Sequence, residues 1–208
     1  MIAQQENAAN QLKFLAEYVP IWERQALELR TAADIIYVNL VDMDKKIKKS
    51  LEDNTDSSSF HLATAGLNQV WMLTAGYSVE VLVKAIFIAT TSEPLITSDG
   101  KFNKELWGNR PHDSYFLLEK KLLAQHRPSL SEEENLFIRK MSSYTTWRGK
   151  YPIPVNSDKF FRYRIEGKDD MPVDLGAARL TNDRDKKCFD SIFNTLHVKL
   201  QEVKEIKG

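Results

Sequence analysis

The chain has 208 residues, enough to bury a sizeable core in one domain spanning residues 1–208, and 29 basic residues cancel 29 acidic ones. A zero net charge supplies no whole-molecule field for nucleic acid or for an acidic surface, so any affinity for phosphate must come from a local patch. With 8 Gly and 7 Pro there are too few turn residues for an all-β sandwich, and the single cysteine, Cys188, rules out an internal disulfide framework.

One cysteine in a chain of this size fits a reducing compartment. The four histidines have no zinc-ligand spacing, so no metal and no cofactor are expected. The N-terminal stretch MIAQQENAANQLKF is polar and lacks a signal-peptide core, while the most apolar stretch, residues 70–89, carries Glu80 and Lys84 near its middle. Both features point to a cytoplasmic protein without a membrane partner.

Apolar or small residues recur in steps of three and four at Leu12, Leu15, Val19, Trp22, Ala26, Leu29, Ala33, Ile36, Leu40, Met43, Ile47 and Leu51. That period predicts one continuous helical stripe, interrupted at Pro20, which lacks an amide proton and either starts a second helix or kinks the first. The acidic, serine-rich residues 52–59 predict a loop ready to cap the helix that follows. The next stripe runs through Leu62, Ala65, Gln69, Met72, Gly76, Val79, Val83 and Ile86. From residue 70 onward nearly every face is apolar, which predicts the central helix of a bundle, with Ala75 and Gly76 admitting a close neighbour.

Asp99-Gly100 predicts a turn with a small hairpin around it. A shorter helix is predicted over roughly residues 113–125, and another starts where Ser129 or Ser131 precedes the run of three glutamates at 132–134. That helix runs through Leu136, Phe137, Met141 and Tyr144 towards Trp147. Residues 149–180, with Pro152, Pro154 and Pro172, read as a long irregular loop. A last helix beginning near residues 181–183 carries Phe189, Ile192, Leu196, Leu200 and Val203, with Cys188 on its apolar face and so in the core. The fold class expected is all-α: an up-and-down bundle of about five to seven helices.

Three segments occur in this order: Ala75-Gly76-Tyr77-Ser78-Val79-Glu80-Val81-Leu82-Val83-Lys84-Ala85, with the pattern "E-x-x-x-K-A"; His112-Asp113-Ser114-Tyr115-Phe116-Leu117-Leu118, close to "H-D-L-x-x-L-x"; and Trp147-Arg148-Gly149-Lys150-Tyr151-Pro152-Ile153-Pro154, close to "W-x-G-R-Y-P-x-P". The first two resemble the central helix and a helix start of HEPN-superfamily proteins, and the third is similar to a string of uncharacterised bacterial members. The resemblance implies a helical bundle, commonly a homodimer. Many relatives are RNases in toxin–antitoxin, phage-defence or RNA-processing systems, and others are binding modules that have lost activity. Active relatives use an arginine followed after four to six residues by a histidine. No arginine here has a histidine so placed; Arg110 lies only two residues before His112.

Candidate site residues follow. Glu80 and Lys84, four apart on one apolar helix, read either as a buried ion pair or as the floor of a cleft with Glu80 as general base. Asp113 is a good N-cap, and His112 beside a helix start is suited to donate or accept a proton. These four residues are the catalytic candidates. The stretch from 147 to 164 interleaves Arg148, Lys150, Lys159, Arg162 and Arg164 with Trp147, Tyr151, Phe160, Phe161 and Tyr163. Cations neutralise phosphates and aromatic faces stack on bases, so Trp147, Arg148, Lys150, Tyr151, Lys159, Arg162 and Arg164 are candidates for binding RNA or a nucleotide. A loop pinned to the bundle by its aromatic residues explains the same composition. His61, His126 and His197 are isolated in sequence and suggest no role.

The function expected is a HEPN-like module associated with nucleic acid or a nucleotide, in bacterial defence or with a cognate antitoxin or neighbouring protein. One alternative is an RNase with a non-standard set such as Glu80, His112 and Arg148. Another is a purely structural, dimerising bundle, which a large exposed apolar patch on the long helix pair would favour.

Overall fold

The computed structural model describes residues 2–97, 99–148 and 181–207, with side chains described for 10–97, 99–146 and 181–206. Within them lie six α-helices: α1 (Ile2–Glu17), α2 (Val19–Glu52), α3 (Ser58–Thr90), α4 (Ser114–Phe116), α5 (Glu132–Ser143) and α6 (Asp183–Lys207). The predicted all-α bundle is what forms. The expected loop over 149–180 lies outside the described residues, as do Gly149, Lys150 and Tyr151 of the third resemblance segment.

Pro20 does start a helix. Tyr18 is extended, α2 begins at Val19, and Pro20 falls in the first turn, where a missing amide proton leaves no bond unmade. The most buried apolar residues of α2 are Ala26, Ala33, Leu40 and Ile47, seven residues or two turns apart, and Val19, Trp22, Leu29, Ile36 and Tyr37 pack half-buried against the core beside them. Two alanines among the four let α3 approach closely. The predicted stripe fails at its ends: Leu12, Leu15 and Leu51 are exposed, because no described element covers them.

The chain reverses over residues 53–57, where Asn54 takes a left-handed φ of 53° that asparagine tolerates better than most side chains. Asp56 accepts hydrogen bonds from the backbone N–H and hydroxyl of Ser58, closing the open end of α3. Helix α3 packs against α2, α4, α5 and α6 and is buried almost continuously from Trp71 to Ala89. Its most apolar window is long enough to cross a bilayer, but 72% of that window is covered by the rest of the bundle.

The N-terminal half of α3 departs from the predicted stripe. Leu62, Ala65 and Gln69 face solvent, while Thr64 and Asn68 are buried. The reason is hydrogen bonding: the Thr64 hydroxyl donates to the Phe60 carbonyl, and Asn68 Oδ1 accepts from the backbone N–H of Thr181, where the chain returns to begin α6. A satisfied polar pair therefore takes the inward face that periodicity alone assigns to leucine.

After α3 the predicted hairpin shrinks to one antiparallel bridge between Ile96 and Phe102, closed by the Thr97 N–H donating to the Lys101 carbonyl at 2.8 Å. The helix predicted over 113–125 is also shorter. Helix α4 passes into a π-turn, Leu117–Lys121, after which the chain extends at Leu122 and makes a 3₁₀ turn, Ala124–His126. The Leu122 N–H donates to the Leu117 carbonyl at 3.1 Å, five residues back, and so both leucines are buried.

Ser131 starts α5 with a full capping box. Its hydroxyl accepts from the Glu134 N–H at 3.2 Å, and the Glu134 carboxylate accepts from the Ser131 N–H at 2.7 Å. Helix α5 buries Phe137, Ile138 and Met141 and continues into a second π-turn, Tyr144–Arg148. Asn182 caps α6, accepting from the N–H groups of Arg184 and Asp185. Phe189, Ile192, Leu196, Leu200 and Val203 are buried as predicted. Cys188 is not: it packs against the core but is half-buried, its thiol donating to Glu133 Oε1 at 3.4 Å.

Candidate functional site

Glu80 stands in the most apolar part of α3 with a side chain only 4% exposed. A lone carboxylate there would be costly to desolvate, and two donors meet it. Lys84, one turn on, places Nζ 2.6 Å from Oε1, and His112, arriving from the start of α4, places Nδ1 3.0 Å from the same oxygen. Glu80 Oε2 is buried without a hydrogen-bond partner among the described residues. The two lone pairs of one oxygen thus carry the whole cluster.

The donors differ in their access to solvent. The Lys84 side chain is 12% exposed, its ammonium also lying 5.4 Å from the centre of the Trp107 ring, which lends the cation a π face in place of water. The His112 side chain is 49% exposed. An ionised carboxylate only accepts hydrogen bonds, so the contact is satisfied when Nδ1 carries the proton, which leaves Nε2 on the outer edge of the ring. Tyr77, one turn before Glu80, responds to the same charge: burial, then the Glu80 carboxylate, pushes its phenol above its ordinary value.

Asp113 does not join the cluster. Its Oδ1 accepts from the Phe116 N–H at 2.9 Å, the N-cap that its sequence position suggested, and Arg110 lies 3.9 Å from its other oxygen. Of the four catalytic candidates, then, Glu80, Lys84 and His112 come together, and Asp113 serves the backbone of α4. The binding candidates Trp147 and Arg148 belong to the second π-turn, with side chains outside the described set; Lys150, Tyr151, Lys159, Arg162 and Arg164 lie outside the described residues altogether.

A second imidazole–carboxylate contact escaped the sequence. Glu23 on α2 accepts from His197 Nε2 at 2.7 Å and from Gln201 through Oε1, and from Lys204 Nζ at 2.8 Å through Oε2. Burial alone would raise this carboxyl, but hydrogen bonds from Lys204, His197 and Gln201 outweigh it and hold Glu23 below its ordinary value. His197, Gln201 and Lys204 follow at steps of four and three on α6, a helix face visible in the sequence; their partner on α2 is not. With every oxygen engaged, this cluster ties two helices together, whereas the cluster at Glu80 leaves one imidazole edge open. Among the described residues no three His, Cys, Asp or Glu side chains are grouped to hold a metal ion.

Compared with models of protein families, with curated proteins and with solved structures, the chain matches none.

Proposed function

We propose that the chain is a HEPN-like module that associates with RNA or a nucleotide and uses His112 as its proton-transfer group. The observation that carries this reading is the half-exposed imidazole held at Nδ1 by a buried carboxylate. That contact orients the ring, with Nδ1 turned to the carboxylate and Nε2 on the outer edge, which is the geometry a general base needs. Lys84 shares the same Glu80 oxygen and does not compete for Nε2. Cleavage of a phosphodiester by this set needs a proton taken from the attacking hydroxyl and one returned to the leaving oxygen, both tasks for an imidazole. Recognition of the phosphates and bases is assigned to the cationic and aromatic residues between 147 and 164, which is the composition such ligands require.

The test is to incubate the purified protein with single-stranded RNA in the presence of a chelator, following binding by fluorescence anisotropy and cleavage on gels. Wild type binds; Arg148→Ala with Lys150→Ala weakens binding; His112→Ala keeps binding and lowers any cleavage by about 10²–10⁴-fold. RNA bound but never cut overturns the proton-transfer role of His112 and leaves a binding module. Neither binding nor cleavage of RNA, with no binding of nucleotides, overturns the proposal.

One observation favours a second, compatible reading, self-association. From Ser58 to Val79 α3 has no Asp, Glu, Lys or Arg, and Leu62, Gly66, Val70, Leu73 and Tyr77 follow one face at helical steps. Leu62 is 78% and Val70 48% exposed, and beyond the adjacent backbone of α3 itself no heavy atom lies within 4 Å of where a Cβ on Gly66 would be. An uncharged face with a gap at its centre suits the same face of a second copy. Wild type is then a dimer by light scattering, and Leu62→Glu with Val70→Glu a monomer; a monomeric wild type rejects it.

A further inference from the structure

The contact between Glu80 and His112 joins a helix to a loop residue, so something must hold the loop at the right height. The Thr145 hydroxyl lies 2.7 Å from the His112 carbonyl and 3.1 Å from that of Ser142. Thr145 is fully buried, and it sits on the second π-turn, where α5 has widened. A widened turn displaces the residues it carries from their α-helical positions, and such turns recur where a side chain must be aimed. The approach from the other side is equally specific. A Cβ on Gly76 would stand 2.7 Å from Thr145 Cγ2 and 3.3 Å from the Met141 carbonyl. Only glycine lets this turn rest on α3, and Gly76 precedes Glu80 by one helical turn.

We propose that Thr145 is the positioning residue of the Glu80/His112 pair, with Gly76 as the gap that admits it. Gly76 sets how close the π-turn comes to α3, Thr145 fixes the His112 carbonyl relative to that turn, and the imidazole then reaches Glu80. The inference deepens the proposed function and rests on its reading of His112 as the acting group, but it needs no substrate to be tested.

The experiment is the tautomer of His112, read from its ¹⁵N shifts by NMR at a pH where the ring is neutral, with the urea-denatured chain as reference. Wild type and Thr145→Ser, which keeps the hydroxyl, show the Nδ1–H form in excess over the reference. Thr145→Val, which keeps the shape and removes the hydroxyl, loses that excess. Gly76→Ala loses it too, and adding Thr145→Ser, which deletes the methyl that the new Cβ meets, restores part of it. If Thr145→Val does not fold, the Gly76→Ala pair decides. A folded Thr145→Val, or Gly76→Ala, with the wild-type tautomer overturns the positioning role. A wild type that already matches the denatured chain shows instead that the Glu80/His112 contact, and with it the proposed function, is wrong. Loss of overall packing does not produce this pattern, because Thr145→Ser removes more buried volume than Thr145→Val.

Discussion

Glu80 is a single residue with two obligations, to be buried and to be charged, and it meets both because Lys84 and His112 reach it. Removing one member of such a pair leaves the other charge buried and unpaired, which costs about 3–5 kcal/mol, whereas replacing both by apolar groups of similar volume is often close to neutral. Glu80→Gln, which strands the Lys84 ammonium, should therefore lower stability to denaturant by about that amount, Lys84→Met by less because His112 still reaches Glu80, and Glu80→Met with Lys84→Met by much less than Glu80→Gln. Single and double variants of equal stability would show that the pair is not desolvated.

Glu23 makes the corresponding pH prediction. Its folded value is depressed, so it contributes stability in full above its ordinary value of 4.5, and that contribution is lost as pH falls below it. Thermal melts between neutral pH and pH 3 should show a steeper acid loss for wild type than for Glu23→Gln, from which the titrating group is gone. Cys188 is a third residue whose surroundings set its chemistry. Burial, then the Glu133 carboxylate, pushes the thiol up to about 11, so at neutral pH it is almost wholly protonated. Alkylation by iodoacetamide should be markedly slower than for an exposed cysteine and should quicken in Glu133→Gln.

Among the elements, the helix starts were the most readable, because a cap is a local device written in three or four consecutive residues. Ser131 and Glu134 form the capping box that their spacing announces, and Ser131→Ala should cost about 1 kcal/mol by equilibrium unfolding. Glu134 also accepts from the Ser191 hydroxyl on α6 at 2.6 Å, so Glu134→Ala should cost more than Ser131→Ala. Helix interiors were less readable. The π-turns at Leu117–Lys121 and Tyr144–Arg148 replace stretches that read as ordinary helix, since widening a turn depends on which side chains the neighbouring helices leave room to bury. The inward face of α3 near Asn68 went the same way, decided by a backbone N–H more than a hundred residues distant.

On the scale of the whole molecule, α3 is the axis on which both the core and the candidate site are built. Trp71 is fully buried with Tyr37, Phe137 and Phe189 around it, one aromatic from each of three helices. Trp71→Ala should cost about 3–5 kcal/mol, enough to show as a lowered midpoint in denaturant, without changing the surface that carries His112. The all-α class and the central helix were legible in the amino-acid order, and a helix start near Pro20 and the pairing of Glu80 with Lys84 were each one of two readings it offered, because periodicity, caps and partners four residues apart act within one or two helical turns. Only the tertiary structure decided that His112 meets Glu80, that Thr145 rests in the gap at Gly76 and that His197 meets Glu23. Each of those contacts joins residues on different elements, and its geometry depends on how closely whole helices pack, a quantity that no local pattern of residues contains.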